Sequence, residues 1–166
     1  MNTLLDKLTE TIDRLSIIYD ELLETAKTKQ CCLISGNIEE LEMLLYQEKN
    51  QTEIAQLLEE KRQNIINSYC KENHAQRKNV TMRSLMNNMD NLHRERVGSL
   101  LNKLTLSMKQ LQQVNQTNTT LTHYSLDITE DIIKIFCPSA FQYSVYHHTG
   151  KIQEHEMPMV LIDTEI

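Results

Sequence analysis

Residues 97–135 read VGSLLNKLTLSMKQLQQVNQTNTTLTHYSLDITEDIIKI, and one spacing holds from end to end. Steps of three and four residues alternate along the stretch, which places the recurring residues on one face of a long helix. These residues are Val97, Leu100, Leu104, Ser107, Leu111, Val114, Asn118, Leu121, Ser125, Ile128, Ile132 and Ile135. Pro138 cannot donate the hydrogen bond that continues a helix, so we expect this helix to end just before it.

Three positions of this helical seam are polar, namely Ser107, Asn118 and Ser125. A polar residue in such a seam fixes the register of packing at some cost in stability. Residues 115–120, NQTNTT, are also poor helix formers. We therefore expect this helix to pack less firmly than the first hairpin and to be available to a partner. The other interpretation is that the same residues simply complete an intramolecular bundle.

Two further long helices and a tight turn between them are expected nearer the start of the chain. The first should begin at Asn2 or Thr3 and fade near Leu33, with a seam of Leu5, Leu8, Ile12, Leu15, Tyr19, Leu22 and Ala26. Gly36 can adopt the left-handed conformation that ends a helix, and Asn37 with Glu40 forms a capping box for the next one. The second seam is predicted to use Ile38, Leu41, Leu45, Ile54, Leu58, Ile65 and Tyr69.

The composition agrees with a helical chain. Only 3 Gly and 2 Pro occur in 166 residues, which is too few for a protein made of strands and turns. A polar connection over residues 71–79 precedes a short helix that Thr81 can cap. The predicted fold is thus all-α: an elongated antiparallel helical hairpin or bundle of three long helices plus a short one. We expect residues 1–137 to form the helical bundle domain and residues 138–166 an extended or mobile tail.

Charge and motifs exclude several classes of function. The net charge is −6 without a basic stripe, which argues against nucleic-acid binding. No window is apolar enough to enter a membrane, and the first residues do not form a signal peptide, so we expect a cytoplasmic protein with free cysteines.

There is no phosphate loop or nucleophile elbow, so we expect no enzyme, no catalytic residues and no cofactor. His147, His148 and His155 form the one candidate metal cluster, and we predict no functional metal there.

Several motifs occur in an order that resembles a known family. They are Ser35-Gly36-Asn37-Ile38-Glu39-Glu40-Leu41, then Glu48-Lys49, Arg62, Asn115-X-X-Asn118 and finally Tyr146-His147-His148-Thr149-Gly150. Together, over residues 4–150, they resemble the FlgN-type flagellar export chaperones.

The resemblance implies a cytoplasmic chaperone that binds the C-terminal helical region of the two hook-associated, or hook-filament junction, proteins. It would prevent their premature assembly and deliver them to the flagellar type III export gate. The substrate-binding residues that it implies are Leu111, Val114, Asn118, Leu121, Ser125, Ile128, Ile132 and Ile135. Tyr146 and Gly150 match the element that is linked to docking at the export gate.

An alternative of another class stays open at this point. A structural coiled-coil or adaptor protein could use residues 97–135 as a permanent seam, including the seam of a homo-oligomer. Such a seam would be ordered before any partner is added, whereas the recognition helix of a chaperone would exchange its amide hydrogens rapidly.

Overall fold

The computed structural model describes residues 3–73, 81–87 and 89–137, and all regular structure among these residues is helical. Helix α1 spans Thr3–Ser35, α2 spans Ile38–Glu72, α3 spans Met82–Asn87 and α4 spans Asn91–Phe136. The predicted all-α fold, with three long helices and a short one, is confirmed. None of the helices in the described part of the chain is long and apolar enough to cross a membrane.

The turn between α1 and α2 has the predicted chemistry. Gly36 has a φ of +71°, in the left-handed region that favours glycine. The N–H of Asn37 donates to the carbonyl oxygen of Cys32 at 3.1 Å, which closes the end of α1. The Oδ1 of Asn37 accepts from the N–H of Glu40 at 3.2 Å, and its Nδ2 donates to the Glu40 carboxylate at 2.9 Å. Asn37 therefore caps α2 as predicted. The second bond of a capping box is absent, because the Asn37 N–H is bonded to Cys32 and the Glu40 carboxylate accepts from the Asn37 side chain instead.

The seam predicted for α1 is confirmed. Six of its seven residues are buried and Tyr19 is half-buried. Leu8 and Ile12 pack in one cluster with Ile65 and Tyr69 of α2, and α3 and α4 contribute Leu85 and Val97. Leu15, Ile18, Leu22 and Ala55 form a second cluster, against which Leu104 and Leu111 of α4 pack. Burial of each large aliphatic side chain contributes about 1.5–3 kcal/mol, so these clusters hold the three long helices together.

The seam predicted for the first half of α2 is mostly wrong, since Leu41 is its one half-buried member. Ile38, Leu45 and Ile54 are exposed, and the buried positions are Leu44, Gln51 and Ala55. One residue along a helix corresponds to a turn of about 100°, so a shift of one position points a side chain away from its neighbour. Polar residues account for the shift, because they occupy the interface here.

Two polar contacts fill that interface. The hydroxyl of Thr25 donates to Oε1 of Gln51 at 3.0 Å, and both side chains are buried. The ammonium group of Lys29 contacts the carboxylate of Glu48 at 2.5 Å, with both side chains largely shielded from solvent. Burial is tolerated because each polar group has a partner.

Helix α3 is short and capped as predicted. The hydroxyl of Thr81 accepts from the N–H of Ser84 at 3.2 Å, and the N–H of Thr81 donates to the Ser84 hydroxyl at 2.9 Å. The guanidinium of Arg94 donates to the carbonyl oxygens of Met86 and Met89 at 3.0 and 3.1 Å. These bonds tie the segment that follows α3 to the first turn of α4.

The chain divides into two compact units, Met1–Leu121 and Thr122–Ile166. The first contains α1, α2, α3 and α4 as far as Leu121. The described part of the second consists of residues 122–137, and all of these side chains are exposed. The tail expected over residues 138–166 lies outside the described residues, so its boundary with a helical domain at residue 137 stays a prediction.

Candidate partner-binding helix

Within the first unit, the predicted seam of α4 faces the hairpin. Val97, Ser107 and Asn118 are buried, whereas Leu111 and Leu121 are half-buried. Three contacts between α1 and α4 show their relative direction: Asp6 with His93, Asp20 with Lys103, and Ala26 with Asn118. Residue numbers thus rise together along both helices, and α4 runs parallel to α1.

Ser107, the first polar position of the seam, bonds to a carboxylate of α1. Its hydroxyl donates to Oδ1 of Asp20 at 2.5 Å, while Nζ of Lys103 lies 2.6 Å from Oδ2. Partial burial alone would raise the pKa of Asp20, but the hydrogen bonds from Lys103 and Ser107 outweigh it and hold the pKa below its ordinary value. Asp20 is therefore ionised at neutral pH and links α1 to α4.

Asn118 also bonds across the α1–α4 interface. Its Nδ2 donates to the carbonyl oxygen of Ala26 at 2.9 Å in a buried setting. A bond of this kind can form in only one alignment of the two helices, which is how a polar seam residue sets register. Asn118 is thus engaged within the protein itself.

Acidic residues one heptad apart on α1 face basic residues of α4. Asp6 lies 3.8 Å from His93, and Asp13 lies 3.7 Å from Arg96. Asp20 and Lys103 continue the series. Exposed pairs of this sort contribute only about 0–1 kcal/mol each. They help to align α4 but do not by themselves hold it in place.

Residues 122–137, in the second unit, present a different surface. Ser125, Ile128, Ile132 and Ile135 continue the three-four spacing on one helical face, and all four are exposed. Ile128 and Ile135 have exposed fractions of 60% and 72%. A run of exposed large aliphatic side chains is unusual unless something covers it.

Apolar residues outside the predicted seam are exposed in the same segment. They are Tyr124, Leu126, Ile133 and Phe136. The three-four spacing does not predict them, because they lie off the helical face that it defines. The available signal was that residues 124–136 carry apolar residues on more than one face, which is not typical of a helix with a single packing partner.

The residues that the resemblance implied for substrate binding therefore fall into two groups. Leu111, Val114, Asn118 and Leu121 belong to the first unit, where they are buried or half-buried. Ser125, Ile128, Ile132 and Ile135 are exposed in the second. Tyr146 and Gly150 lie outside the described residues.

Over the described ranges, no group of three or more His, Cys, Asp or Glu side chains is placed to hold a metal ion. His147, His148 and His155 fall beyond those ranges. Cys31, Cys32, Cys70 and Cys137 are all free thiols. The surface of α4 that is accessible to a ligand is therefore apolar and helical.

The described residues thus define an all-α protein with a packed three-helix core and a helical segment rich in exposed apolar side chains. Residues 1–154 match the model of the FlgN protein family, so the chain belongs to the FlgN family, whose members are flagellar export chaperones. Membership supports a general role as a chaperone in flagellar export and in binding flagellar proteins. Searches among curated proteins and solved structures found no significant match.

Proposed function

We propose that this chain is a cytoplasmic export chaperone that binds the C-terminal helical region of hook-associated proteins. It prevents their premature assembly and delivers them to the flagellar type III export gate. The observation that carries the proposal is the exposed apolar surface of α4 over residues 122–136. Family membership provides the general role, and this surface provides a place for the partner.

The recognition mode is a helix packed against a helix. Ile128, Ile132 and Ile135 lie at steps of four and three residues, the spacing with which one amphipathic helix meets another. Each isoleucine that becomes buried in the complex contributes up to about 1.5–3 kcal/mol before the costs of association. Three such residues would contribute to a reversible complex that forms without any bond chemistry.

The two groups of predicted binding residues then act differently. Ser125, Ile128, Ile132 and Ile135 make the first contact, because their side chains are accessible in the free protein. Leu111, Val114, Asn118 and Leu121 already pack within the first unit, so a partner can reach only their exposed edges or must compete with α1. Substrate contact at these four residues is accordingly the weaker part of the interface.

Coexpression with a hook-associated protein tests the assignment. The wild-type chain should yield a soluble complex, and Ile128→Asp with Ile132→Asp should abolish it, because two carboxylates would then enter an apolar interface. Leu106→Asp is the matched control, since Leu106 is also an exposed aliphatic residue of α4 but lies outside the seam. If the complex survived the double change, or if Leu106→Asp abolished it equally, the assigned surface would be wrong.

Docking at the export gate is assigned to Tyr146, with Gly150 in the same element, on the family resemblance. Tyr146→Ala should leave the complex with a hook-associated protein intact and reduce secretion of that protein. Tyr146→Phe separates the contribution of the ring from that of the hydroxyl. Normal secretion by the Tyr146→Ala variant would remove Tyr146 from the docking element.

A further inference from the structure

The tip of the α1–α2 hairpin has an unusual composition. Residues 30–47 contain three glutamates, Glu39, Glu40 and Glu42, and neither lysine nor arginine. The same short stretch exposes five large apolar side chains: Ile34, Ile38, Met43, Leu45 and Tyr46. Ile34 and Tyr46 are 71% and 69% exposed. Single exposed apolar residues are normal, but five within one turn and its flanks form a patch.

The apolar and acidic residues alternate around the exposed side of α2. Ile38 and Leu45 are two turns apart and share one direction, and Met43 and Tyr46 follow further around the helix. Glu42 projects between these two pairs, and Glu39 projects between Tyr46 and Met43. Leu44 is buried on the side that faces α1, so the patch points away from the hairpin interface.

The backbone of the tip is held firmly. The left-handed Gly36 and the Asn37 cap, with its two bonds to Glu40, fix the turn. Just below it, the Thr25–Gln51 hydrogen bond and the Lys29–Glu48 ion pair join the two helices. A surface that is already ordered loses little conformational entropy when a partner docks, which favours its use in binding.

We infer that this hairpin tip is a docking surface for an amphipathic helix of another protein, one that carries lysine or arginine beside its apolar residues. The apolar residues of the tip would cover the apolar face of that helix. Glu39 and Glu42 would meet its cations, and no cation of the tip would oppose them. A second copy of this chain fits poorly, because both tips would bring the same negative charge to the interface.

The inference goes beyond the proposed function, since it concerns a different surface and a different partner. The hairpin tip belongs to the first unit and shares no residue with the seam of α4. Substitutions at the tip should therefore leave the complex with a hook-associated protein intact. This separates failure of the present inference from failure of the proposed function.

A synthetic amphipathic helix made of Leu and Lys serves as the probe, and its affinity for the full chain is measured by fluorescence anisotropy. Ile38→Ser with Leu45→Ser should weaken binding about tenfold or more, because two apolar anchors are lost. Glu39→Gln with Glu42→Gln should also weaken binding and reduce its dependence on salt. Ile54→Ser with Leu57→Ser is the matched control, since it makes the same changes at exposed residues of α2 where both signs of charge are present.

Circular dichroism must show unchanged helix content in every variant, and a tip variant that unfolds is replaced by Tyr46→Ser. Three results would overturn the inference. The control pair could weaken binding as much as the tip pair, or the tip changes could leave affinity unchanged. Analytical ultracentrifugation could also reveal a dimer that the tip substitutions dissolve, which would make a second copy the occupant.

Discussion

A single carboxylate, that of Asp20, joins α1 to α4 through two donors. Ser107 and Lys103 both bond to it, and together they keep its pKa below the ordinary value despite partial burial. A carboxyl group whose pKa is lower in the folded state stabilises that state above its unfolded pKa. The stabilisation is lost as the pH falls through the folded pKa. Attachment of α4 should therefore weaken in acid.

Substitution of Asp20 tests this linkage. Asp20→Asn should lower the free energy of unfolding by about 1 kcal/mol at neutral pH, because the ion pair with Lys103 is lost while Ser107 can still donate to the amide oxygen. The difference from wild type should shrink once the pH falls below 3.8, the ordinary pKa of the group. Denaturant unfolding across a pH series measures it. A difference that did not change with pH would contradict the assigned role of the carboxylate.

Asn118 and Ser125 show what a sequence pattern cannot resolve at the level of one residue. Both are polar positions of the same seam, seven residues apart. Asn118 is buried and bonded to the carbonyl oxygen of Ala26, whereas Ser125 is exposed. The spacing predicted their common face correctly. It could not tell which of them is buried, because the spacing is the same at both positions.

The turn between α1 and α2 depends on Gly36. Gly36→Ala should cost about 1 kcal/mol, because an L side chain is strained at a φ of +71°. Gly98→Ala should instead be neutral or stabilise by up to about 1 kcal/mol, since it improves helix propensity. Its new Cβ would meet only the flexible Cε of Met86, at 3.4 Å. Thermal unfolding of the two variants compares them, and equal shifts would show that the turn is not under this constraint.

The helices differ in how well their sequences predict their packing. The apolar stripe of α1 is almost uninterrupted, so the side that it buries could be read directly from the spacing. In α2, the interface near the tip uses Gln51 and Glu48, and the apolar residues Ile38 and Leu45 lie outside it. A search for apolar spacing therefore selects the wrong face there. Only the hydrogen-bond and ion-pair partners on α1 show that these polar side chains lie in the α1–α2 interface.

The spacing of α4 predicts one continuous seam, which the structure divides between two environments. Val97 is fully buried against the hairpin, whereas Ile132 and Ile135 of the same seam are exposed. The interpretation as an intramolecular bundle thus applies to residues 97–121. The interpretation as a surface available to a partner remains our proposal for residues 122–136. The spacing alone does not separate these two interpretations, because it is the same in both parts of the helix.

At the scale of the whole molecule, the packed core and the exposed apolar segment of α4 belong to different units. The first unit contains both hydrophobic clusters and the buried polar contacts, while the described part of the second contains only exposed helix. Substitutions at exposed residues of the second unit should therefore change partner binding without changing the stability of the first. Separation of this kind suits a chaperone, which must release its substrate intact and remain folded itself.

Hydrogen exchange of the full-length chain, alone and in complex with a hook-associated protein, tests the proposed role of α4. In the free protein, the amides of residues 97–121 should be protected and those of residues 122–136 should exchange rapidly. In the complex, residues 122–136 should gain protection, while α1 and α2 change little. Strong protection of residues 122–136 in the free protein would instead favour a permanent coiled coil. Protection gained in the complex only outside α4 would show that the substrate binds elsewhere.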